Sequence, residues 1–436
     1  MIKSEIVSRA LKNIGIETLN EMQKVSLEAG TTKDMILLSP TGSGKTLAFL
    51  LPLLTTLNEE AKKVQALIIA PSRELALQIE TVFRSLGAGY KIVCCYGGHP
   101  VRVEKKQLEH PPTILIGTPG RILDHLERGN VSLDSVRSLV LDEFDKSLEL
   151  GFLSEMKDII GQLPGVRRRV LTSATSAINI PDFVGITSPV KLSFLTEEKK
   201  NKGLTIRIVK SPVPDKLETL YRLIGEFQGE STLVFCNLRE AVERVSDYLT
   251  EQNVDNECFH GGMEQPERER ALSKFRNGSA TVFISTDLAA RGLDIPEVKN
   301  VVHYHFPVNE EAYIHRNGRT ARMNMEGNAY VIMNEKEFLP DYIPSETEEF
   351  FLSDTAKKPL LSEWITLTIN RGKRDKISKK DIVGFLFQKG GLEKDELGVV
   401  EVKESCSFAA VKREKLSSLL AKVKDEKIKN MKAKFS

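Results

Sequence analysis

One run of the sequence carries the residue types that bind phosphate. The run SPTGSGKT follows the strand-like stretch DMILL and precedes the helical stretch LAFLLPLL. Its glycines allow backbone N–H groups to face an anion, and the following helix presents its positive end. We therefore expect Lys45 to reach the β- and γ-phosphates of ATP and the Thr46 hydroxyl to bind Mg²⁺. The predicted nucleotide-binding residues of this run are Ser39, Pro40, Thr41, Gly42, Ser43, Gly44, Lys45 and Thr46.

A second run, SLVLDEFD, places carboxylates directly after an apolar stretch. Such a cluster alone is often a helix N-cap or a solvated loop. Together with the phosphate run it favours a catalytic interpretation. Asp142 would hold the metal through water, and Glu143 would orient and deprotonate the attacking water.

A third run, HRNGRTAR, places Arg319 and Arg322 three residues apart. Two such arginines can stabilise the charge that develops on a γ-phosphate in the transition state. The alternative is a basic surface cluster, which the two other motifs make the weaker interpretation. If the arginines belong to a second domain, ATP lies in a cleft and its hydrolysis controls closure.

The elements that must position these residues follow a repeated rhythm. Apolar runs such as ALIIAP, TILIGT and RRVLTSAT alternate with helical stretches up to about residue 205, and the rhythm restarts with STLVFCN, ATVFIST and NAYVIMN. Strands that alternate with helices predict parallel sheets. We predict the α/β fold class, with two tandem parallel-sheet domains over 1–205 and 206–340, a connector over 341–362 and a small α+β domain over 363–436.

Composition narrows the class of protein. The chain has 436 residues and a net charge of only +2, but the part from Glu363 onwards has 18 Lys+Arg against 11 Asp+Glu. This concentration of basic residues suggests an anionic partner, although a solvated lysine-rich surface is an equal alternative on charge alone. No apolar run is long enough to span a bilayer, and no signal peptide is evident. The five cysteines form no CxxC pair, so we expect neither disulfides nor zinc, and a cytoplasmic location.

In their order along the chain these motifs resemble the DEAD-box family of superfamily 2 RNA helicases. The similarity covers about residues 6–330, and the family's fold implies that both α/β domains are RecA-like. The matching stretches are PSREL, Gly97-Gly98, TPGR, DEFD for DEAD, SAT, LVFCN, QPER, STDLAARGLD and HRNGRTAR.

The resemblance implies roles for further residues. Gln23 would recognise adenine, Asp294 would lie near the ribose, and Ser173 and Thr175 would couple the acidic motif to domain closure. Contacts to the sugar–phosphate backbone and the 2′-OH would favour RNA without selecting a sequence. The implied RNA contacts in the helicase core are Arg73, Gly98, Thr118, Arg121, Gln265, Arg268 and Thr286.

Some positions depart from the family pattern. Ile6 stands where the family has an aromatic residue that stacks on the base, which puts nucleotide preference in question. Phe144 replaces alanine in the acidic motif and must find a cavity, but both chemical carboxylates remain. Gly262, Asn317 and Ala321 also differ from the family without removing an arginine.

The C-terminal segment resembles the RNA-binding domain of the DEAD-box protein A group of bacterial helicases. We interpret ITLTI, DIVGFLF, LGVVEV and SFAAV as strands of an RRM-like domain, followed by a terminal helical stretch, KREKLSSLLAKVKDEKI. Such domains tether the helicase core to structured RNA, typically a large-subunit ribosomal RNA hairpin. The predicted phosphate contacts are Arg371, Lys373, Arg374, Lys376, Lys379 and Lys380.

The sequence therefore predicts an ATP-dependent, RNA-dependent helicase that acts on structured RNA, with ATP and Mg²⁺ as cofactors, in ribosome assembly. Two alternatives stay open: an RNA clamp or assembly scaffold with slow ATP hydrolysis, and a DNA-translocating motor. The intact Glu143, Arg319 and Arg322 argue against the clamp, and the tail argues against the DNA motor.

Overall fold

The computed structural model describes residues 2–40, 42–175, 179–195, 203–290, 295–321 and 326–436, with side-chain detail from residue 5 except at 288. The chain divides into two compact units, Met1–Lys200 and a second that comprises Asn201–Arg291 and Ile295–Ser436. Within the described residues, every helix is too short or too polar to cross a membrane.

The first unit is built on a parallel seven-stranded sheet in the order β3-β4-β2-β5-β6-β1-β7. Its strands are β1 (Met35–Leu38), β2 (Ala66–Ile69), β3 (Ile92–Cys95), β4 (Ile114–Gly117), β5 (Ser138–Leu141), β6 (Arg168–Ser173) and β7 (Val190–Ser193). Its helices are α1 (Ile2–Asn13), α2 (Glu21–Glu28), α3 (Lys45–Leu54), α4 (Arg73–Ser85), α5 (Val101–Leu108), α6 (Pro119–Glu127), α7 (Phe144–Glu149) and α8 (Leu153–Gly161), with a 3₁₀ turn at Asp182–Val184.

Burial on both faces explains the composition of these strands. All four residues of β1, β2, β3, β4 and β5 are buried, which is typical of a parallel sheet covered by helices on both sides. One apolar cluster includes Phe49 and Ile68, and a second on the other face includes Leu67 and Leu139. The carboxyl ends of the strands therefore form one edge from which polar loops emerge.

The second unit contains another all-parallel sheet, in the order β10-β11-β9-β12-β13-β8. Its strands are β8 (Leu204–Ser211), β9 (Thr232–Cys236), β10 (Asn256–Phe259), β11 (Val282–Thr286), β12 (Asn300–His303) and β13 (Gly327–Asn334). Its helices are α9 (Leu217–Phe227), α10 (Arg239–Glu251), α11 (Gln265–Arg276), α12 (Asp287–Ala290) and α13 (Glu310–Asn317). The two parallel sheets confirm the α/β class predicted from the alternation of strands and helices.

The C-terminal part of the same unit is a small α+β fold, as predicted. Strands β14 (Trp364–Ile369), β15 (Leu397–Val402) and β16 (Ser407–Lys412) form an antiparallel sheet in the order β14-β16-β15, and β17 (Lys427–Ile428) pairs with β18 (Met431–Lys432). The helices are α14 (Lys379–Gln388) and α15 (Leu416–Val423), with 3₁₀ turns at Lys373–Asp375, Lys394–Glu396 and Arg413–Lys415.

Two local predictions in this part were wrong. The run DIVGFLF is helical within α14, not a strand, since Ile382, Phe385 and Leu386 have the three- and four-residue spacing that buries one helix face. A Ser378–Asp381 capping box begins that helix. The terminal helix ends at Val423, and part of the remaining segment forms β17 and β18. A short apolar run does not by its period distinguish a strand from a buried helix.

The connector follows the edge of the second sheet. The Ile208 N–H donates to the Glu348 carbonyl at 2.8 Å, and the Phe350 N–H donates back to the Ile208 carbonyl at 2.7 Å. The side chains of Phe350 and Leu352 pack against the apolar cluster of this sheet. These contacts hold the irregular segment against β8.

The antiparallel sheet packs one face against α14 and α15 and the other against α11. The buried Asn277 amide donates to the Thr366 hydroxyl at 2.9 Å, and that hydroxyl donates to the Ser279 hydroxyl at 2.8 Å. The Ser273 hydroxyl donates to Glu401 at 2.9 Å. The sheet face that stacking on RNA would require is therefore covered by a helix.

We expect Asn277→Ala to lower the free energy of unfolding by about 1–3 kcal/mol, because it leaves buried partners in this junction without a hydrogen bond. Trp364, the single tryptophan, lies beside the junction and reports its opening by fluorescence in urea. Gln252→Ala, which removes an exposed amide, is the control. Equal urea midpoints for the two variants would contradict the assignment.

Candidate functional site

The phosphate loop joins β1 to α3 at the carboxyl edge of the first sheet. Gly42 and Gly44 have φ of 80° and 90°, in the left-handed region that favours glycine. The Lys45 ammonium donates to the Ser39 carbonyl at 2.9 Å and is buried within the loop. The loop thus places a buried cation and a helix N-terminus together, as an anion site requires. Thr41 lies outside the described residues.

Gln23 lies directly against this loop. Its side chain forms a capping box with Asn20 at the start of α2, and its Nε2 donates to the Gly44 carbonyl at 3.4 Å. The Asn20 amide donates to the Ser43 carbonyl at 3.0 Å. A Cβ atom at Gly44 would stand 2.6 Å from Gln23 Nε2, so this contact requires glycine. Ile6, the departure from the family pattern, is half-buried against the core of this unit.

The acidic motif follows β5 at the same edge. Asp142 is 3 % exposed, and burial raises the pKa of its carboxyl even though the Lys45 charge opposes the shift. Glu143 has φ of 46°, a left-handed conformation that is uncommon for a residue with a side chain. Its backbone N–H donates to the Thr172 hydroxyl at 3.1 Å, and that hydroxyl donates to Asp142. Thr172 therefore holds both acidic residues in place.

The SAT motif lies one residue beyond Thr172. The Ser173 hydroxyl donates to the Thr175 carbonyl at 3.0 Å, and the Thr175 N–H donates to the Ser173 hydroxyl at 2.9 Å. The Thr175 hydroxyl is 3.5 Å from Asp145 Oδ2, a long contact to the acidic motif. The Ser39 N–H donates to the Ser173 carbonyl at 3.0 Å, which connects this turn to the phosphate loop.

The large side chain of Phe144 is fully buried in the apolar core of the first unit, as its size requires. Its ring is 0 % exposed and belongs to the apolar cluster that also contains Leu141, Leu171 and Met156. The neighbouring Lys146 is also buried and pairs with Glu149 at 2.7 Å. The substitution of alanine by phenylalanine is therefore accommodated on the core side of α7.

The predicted RNA contacts of the first unit lie together. The Arg73 guanidinium lies against Gly97 and Gly98, since a Cβ atom at Gly98 would stand 2.4 Å from its Nη1. Thr118 is the N-cap residue of α6, and Arg121 follows in the first turn. The Arg121 guanidinium, 11 % exposed, donates to Glu104 at 2.9 Å and to the His99 carbonyl at 3.1 Å.

The predicted RNA contacts of the second unit begin α11 and end β11. The Arg268 guanidinium donates to the His260 carbonyl at 2.9 Å and lies 4.2 Å from the centre of the Phe259 ring. Gln265 and Thr286 are 7 % and 8 % exposed. Arg319 is also buried, after the end of α13. Asp294 and Arg322 lie outside the described residues.

Comparison with known proteins decides the family. Residues 20–183 match the DEAD/DEAH box helicase model, 215–324 match the helicase conserved C-terminal domain, and 366–436 match the DbpA RNA binding domain. The ATP-dependent RNA helicase DbpA of Bacillus subtilis is 31 % identical over 99 % of this chain and 97 % of its own. The DbpA of Escherichia coli is 34 % identical over 92 % of this chain and 91 % of its own.

The chain belongs to the DEAD-box family of ATP-dependent RNA helicases. Solved structures agree: Saccharomyces cerevisiae Dbp5 bound to RNA and ADP BeF3 aligns with a TM-score of 0.67 and 28 % identity, over 76 % of this chain and 88 % of that one. Mss116p bound to ssRNA and AMP-PNP aligns with a TM-score of 0.65 and 26 % identity, over 76 % and 72 %. The predicted resemblance is confirmed, and RNA-dependent ATP hydrolysis follows from membership.

The basic residues of the helicase's C-terminal domain are mostly exposed. Lys373, Arg374 and Lys376 lie in and after a 3₁₀ turn, and Lys379 and Lys380 begin α14. The Arg371 guanidinium instead donates to the Lys432 carbonyl at 2.7 Å, so part of its hydrogen-bonding capacity is already used.

Phe385, Phe387 and Phe408 of the C-terminal domain pack in or against its core, so we do not expect their rings to stack on RNA bases. Phe385 is buried and stacks on Phe435 with ring centres 5.4 Å apart. Phe387 packs against the same cluster, and Phe408 is 2 % exposed.

Sequence reasoning missed three residues that organise these sites: Thr172, Glu104 and Arg316. Thr172 directly precedes the SAT motif, and this position next to a motif is the sequence signal that indicates it. Arg316 is 1 % exposed and forms two hydrogen bonds of 2.6 Å with the Asp287 carboxylate. It also donates to the His305 carbonyl and to Asn237. One buried guanidinium thus joins the ends of β9, β11 and β12 to α13.

Arg316→Ala should lower the free energy of unfolding by about 3–5 kcal/mol, because it leaves the Asp287 carboxylate without its buried partner. Arg128→Ala breaks an Arg–Asp pair whose arginine side chain is 58 % exposed, and should change stability by less than about 1 kcal/mol. Chemical denaturation of both variants measures the difference. Similar losses for the two would show that Arg316 does not organise the second sheet.

Proposed function

We propose that this helicase couples ATP hydrolysis to local separation of short duplexes in structured RNA, and that its target is a large-subunit ribosomal RNA hairpin during ribosome assembly. The observation that carries the target is the exposed basic surface of a C-terminal domain that matches the DbpA RNA binding domain. The B. subtilis and E. coli relatives share this whole layout. In this proposal the helicase core hydrolyses ATP, and the C-terminal domain selects the RNA.

The proposed ATP chemistry uses residues of the first unit. Gln23 recognises adenine, residues 39–46 surround the phosphates, and Lys45 neutralises the β- and γ-phosphates. Glu143 accepts the proton of the attacking water. In this proposal Arg319 and Arg322 stabilise the charge that develops on the γ-phosphate in the transition state, and Asp294 would lie near the ribose of ATP.

The oxygen ligands present fit Mg²⁺. Thr46 offers a hydroxyl and Asp142 a carboxylate, the hard ligands that this ion prefers. Burial raises the pKa of Asp142 although the Lys45 charge opposes the shift, and a divalent cation beside this carboxyl would further stabilise its ionised form. Bound there, the ion would neutralise charge on the β- and γ-phosphates.

The proposed RNA contacts of the core are Arg73, Gly98, Thr118, Arg121, Gln265, Arg268 and Thr286. Main-chain groups and guanidinium donors suit the sugar–phosphate backbone, and contacts of this kind do not select a sequence. Ser173 and Thr175 are proposed to transmit the state of the acidic motif, through the Thr175–Asp145 contact, to domain closure.

The proposed RNA surface of the tail is the basic stretch from Lys373 to Lys380. Lys379 and Lys380 occupy the first turn of α14, where the helix dipole disfavours cations, and an RNA phosphate there would remove that penalty. Because α11 covers the outer face of the sheet, we favour RNA binding by this basic stretch over stacking of RNA bases on the sheet. All five cysteines are free thiols, which supports a reducing, cytoplasmic location.

Glu143→Gln should lower RNA-stimulated ATP turnover by at least about a hundredfold while ATP still binds, because the general base is lost. Lys45→Ala should abolish ATP binding itself. Lys33→Ala, which removes an exposed lysine ahead of β1, is the control and should leave turnover unchanged. Unchanged turnover in the first two variants would refute the proposed chemistry.

The two alternative functions have their own tests. ATPase stimulation by matched DNA strands that is as strong as stimulation by RNA would indicate a DNA motor. ATP hydrolysis without displacement of a duplex strand would indicate an RNA clamp.

Lys379→Ala/Lys380→Ala should weaken binding to a structured RNA and reduce the slope of log affinity against log salt by roughly 1.5, because two phosphate contacts are lost. Lys62→Ala/Lys63→Ala removes another pair of adjacent exposed lysines and should leave the slope unchanged. Filter binding between low and moderate salt measures both slopes.

The ribosomal target is tested in cells with the Glu143→Gln variant. Crosslinking and sequencing of the bound RNA should give reads concentrated on one hairpin region of large-subunit ribosomal RNA. Reads scattered evenly over messages would refute the target while leaving the ATPase chemistry intact.

A further inference from the structure

Glu104 is a buried carboxylate on α5 that none of the assigned roles uses. Its side chain is 1 % exposed, yet it lies on a helix that otherwise faces solvent with charged residues. Each of its two oxygens accepts two hydrogen bonds. Oε1 accepts from the Tyr96 N–H at 2.8 Å and from His99 Nε2 at 3.0 Å, while Oε2 accepts from Arg121 Nη1 at 2.9 Å and from His125 Nε2 at 2.8 Å.

The donors belong to the glycine loop and to α6, the two segments that carry or adjoin proposed RNA contacts. Tyr96 and His99 immediately flank Gly97 and Gly98, and Arg121 lies in the first turn of α6. Arg121 also donates to the His99 carbonyl at 3.1 Å, so the loops are joined both directly and through the carboxylate. The Arg73 guanidinium also lies against the glycine pair. Both Arg73 and Glu104 therefore contact the segment that contains these glycines.

A metal site is the competing explanation for this cluster. Ligand atoms of Cys95, Glu104 and His125 lie within 4.8 Å of one another. However, the Asn130 amide nitrogen, which can only donate, lies 3.0 Å from His125 Nδ1, so Nε2 carries the proton and donates to Glu104. The Arg121 cation occupies the same carboxylate oxygen, and burial raises the pKa of the Cys95 thiol. These features favour a hydrogen-bonded network over a metal centre.

We propose that Glu104 is a positioning residue for RNA binding: its carboxylate holds the Gly97–Gly98 loop and the Thr118–Arg121 turn in one arrangement that matches the RNA backbone. The inference rests on the proposed RNA roles of Gly98, Thr118 and Arg121. A buried carboxylate with four donors is a rigid junction, because each broken bond leaves a buried polar group unsatisfied. Without the Glu104 carboxylate, the direct Arg121–His99 hydrogen bond is the main remaining side-chain link between the two segments, and the RNA must order them on binding.

The ionised form of Glu104 persists at all physiological pH values. Burial alone would raise the pKa of this carboxyl, but the hydrogen bonds from His125, His99 and the Tyr96 N–H, together with the Arg121 charge, lower it to about 2. This carboxyl therefore keeps its negative charge, and its capacity to accept four hydrogen bonds, throughout that range.

RNA-stimulated ATPase titrations of Glu104→Ala, Glu104→Gln and wild type test the proposal. The half-saturating RNA concentration should rise about tenfold in Glu104→Ala, which corresponds to about 1.4 kcal/mol of binding free energy. The half-saturating ATP concentration at saturating RNA should change by less than about twofold, since the phosphate loop lies on other strands of the sheet. Glu104→Gln should fall between, because its amide oxygen still accepts from Tyr96 and His99 but its NH₂ group faces the Arg121 donors.

Glu109→Ala is the matched control, because it removes an exposed carboxylate from the end of the same helix and should leave both titrations unchanged. If Glu104→Ala does not fold, the comparison of Glu104→Gln with wild type tests the proposal. A Glu104→Gln variant with the melting temperature of wild type should still have a higher half-saturating RNA concentration than wild type. Equal changes in the RNA and ATP titrations, or none in either, would overturn the proposal. Wild type without RNA stimulation would instead refute the proposed function, so the two failures are distinguishable.

Discussion

The parallel register of β5, β6 and β1 is the constraint on which the chemistry of the first unit depends. Leu141 pairs with Leu171, and Leu38 pairs with Ser173. Because parallel strands end at one edge, the phosphate loop, the acidic motif and the SAT turn must emerge side by side. The Thr172 hydroxyl then joins the acidic residues across the gap between two strands. A shift of one residue in this register would separate these groups.

At three places where separate segments meet, one buried polar side chain joins them by hydrogen bonds. These side chains are Thr172 at the acidic motif, Glu104 at the glycine loop and Arg316 at the ends of β9, β11 and β12. Loops are otherwise the least constrained parts of such a sheet. Buried groups that satisfy all their hydrogen bonds set loop geometry more sharply than apolar packing does, because few alternative arrangements satisfy the same donors.

The C-terminal domain is attached to the helicase by polar contacts as well as by the chain. α11 begins with the proposed RNA contacts Gln265 and Arg268 and ends against the antiparallel sheet through Ser273 and Asn277. One helix therefore carries proposed RNA contacts of the core in its first turn and packs against the tail domain at its other end. This packing fixes the orientation of the tail relative to that helix.

The sequence by itself determined the fold class, the family and the order of the motifs, because strand–helix alternation and short phosphate-binding patterns are local properties. It also determined that Phe144 must be buried. It did not determine that DIVGFLF is a helix, since a short apolar run satisfies either period until packing chooses one.

Only the tertiary structure decided the roles of Thr172, Glu104 and Arg316, because their partners lie far away in the sequence. Glu104 is 21 residues from His125, and Arg316 is 29 residues from Asp287. A glutamate on a charged helix is ordinarily a solvated residue, and nothing in its local pattern indicates four donors. Such a network exists only once the strands have brought separate loops to one edge, which is information that no single segment of the sequence contains.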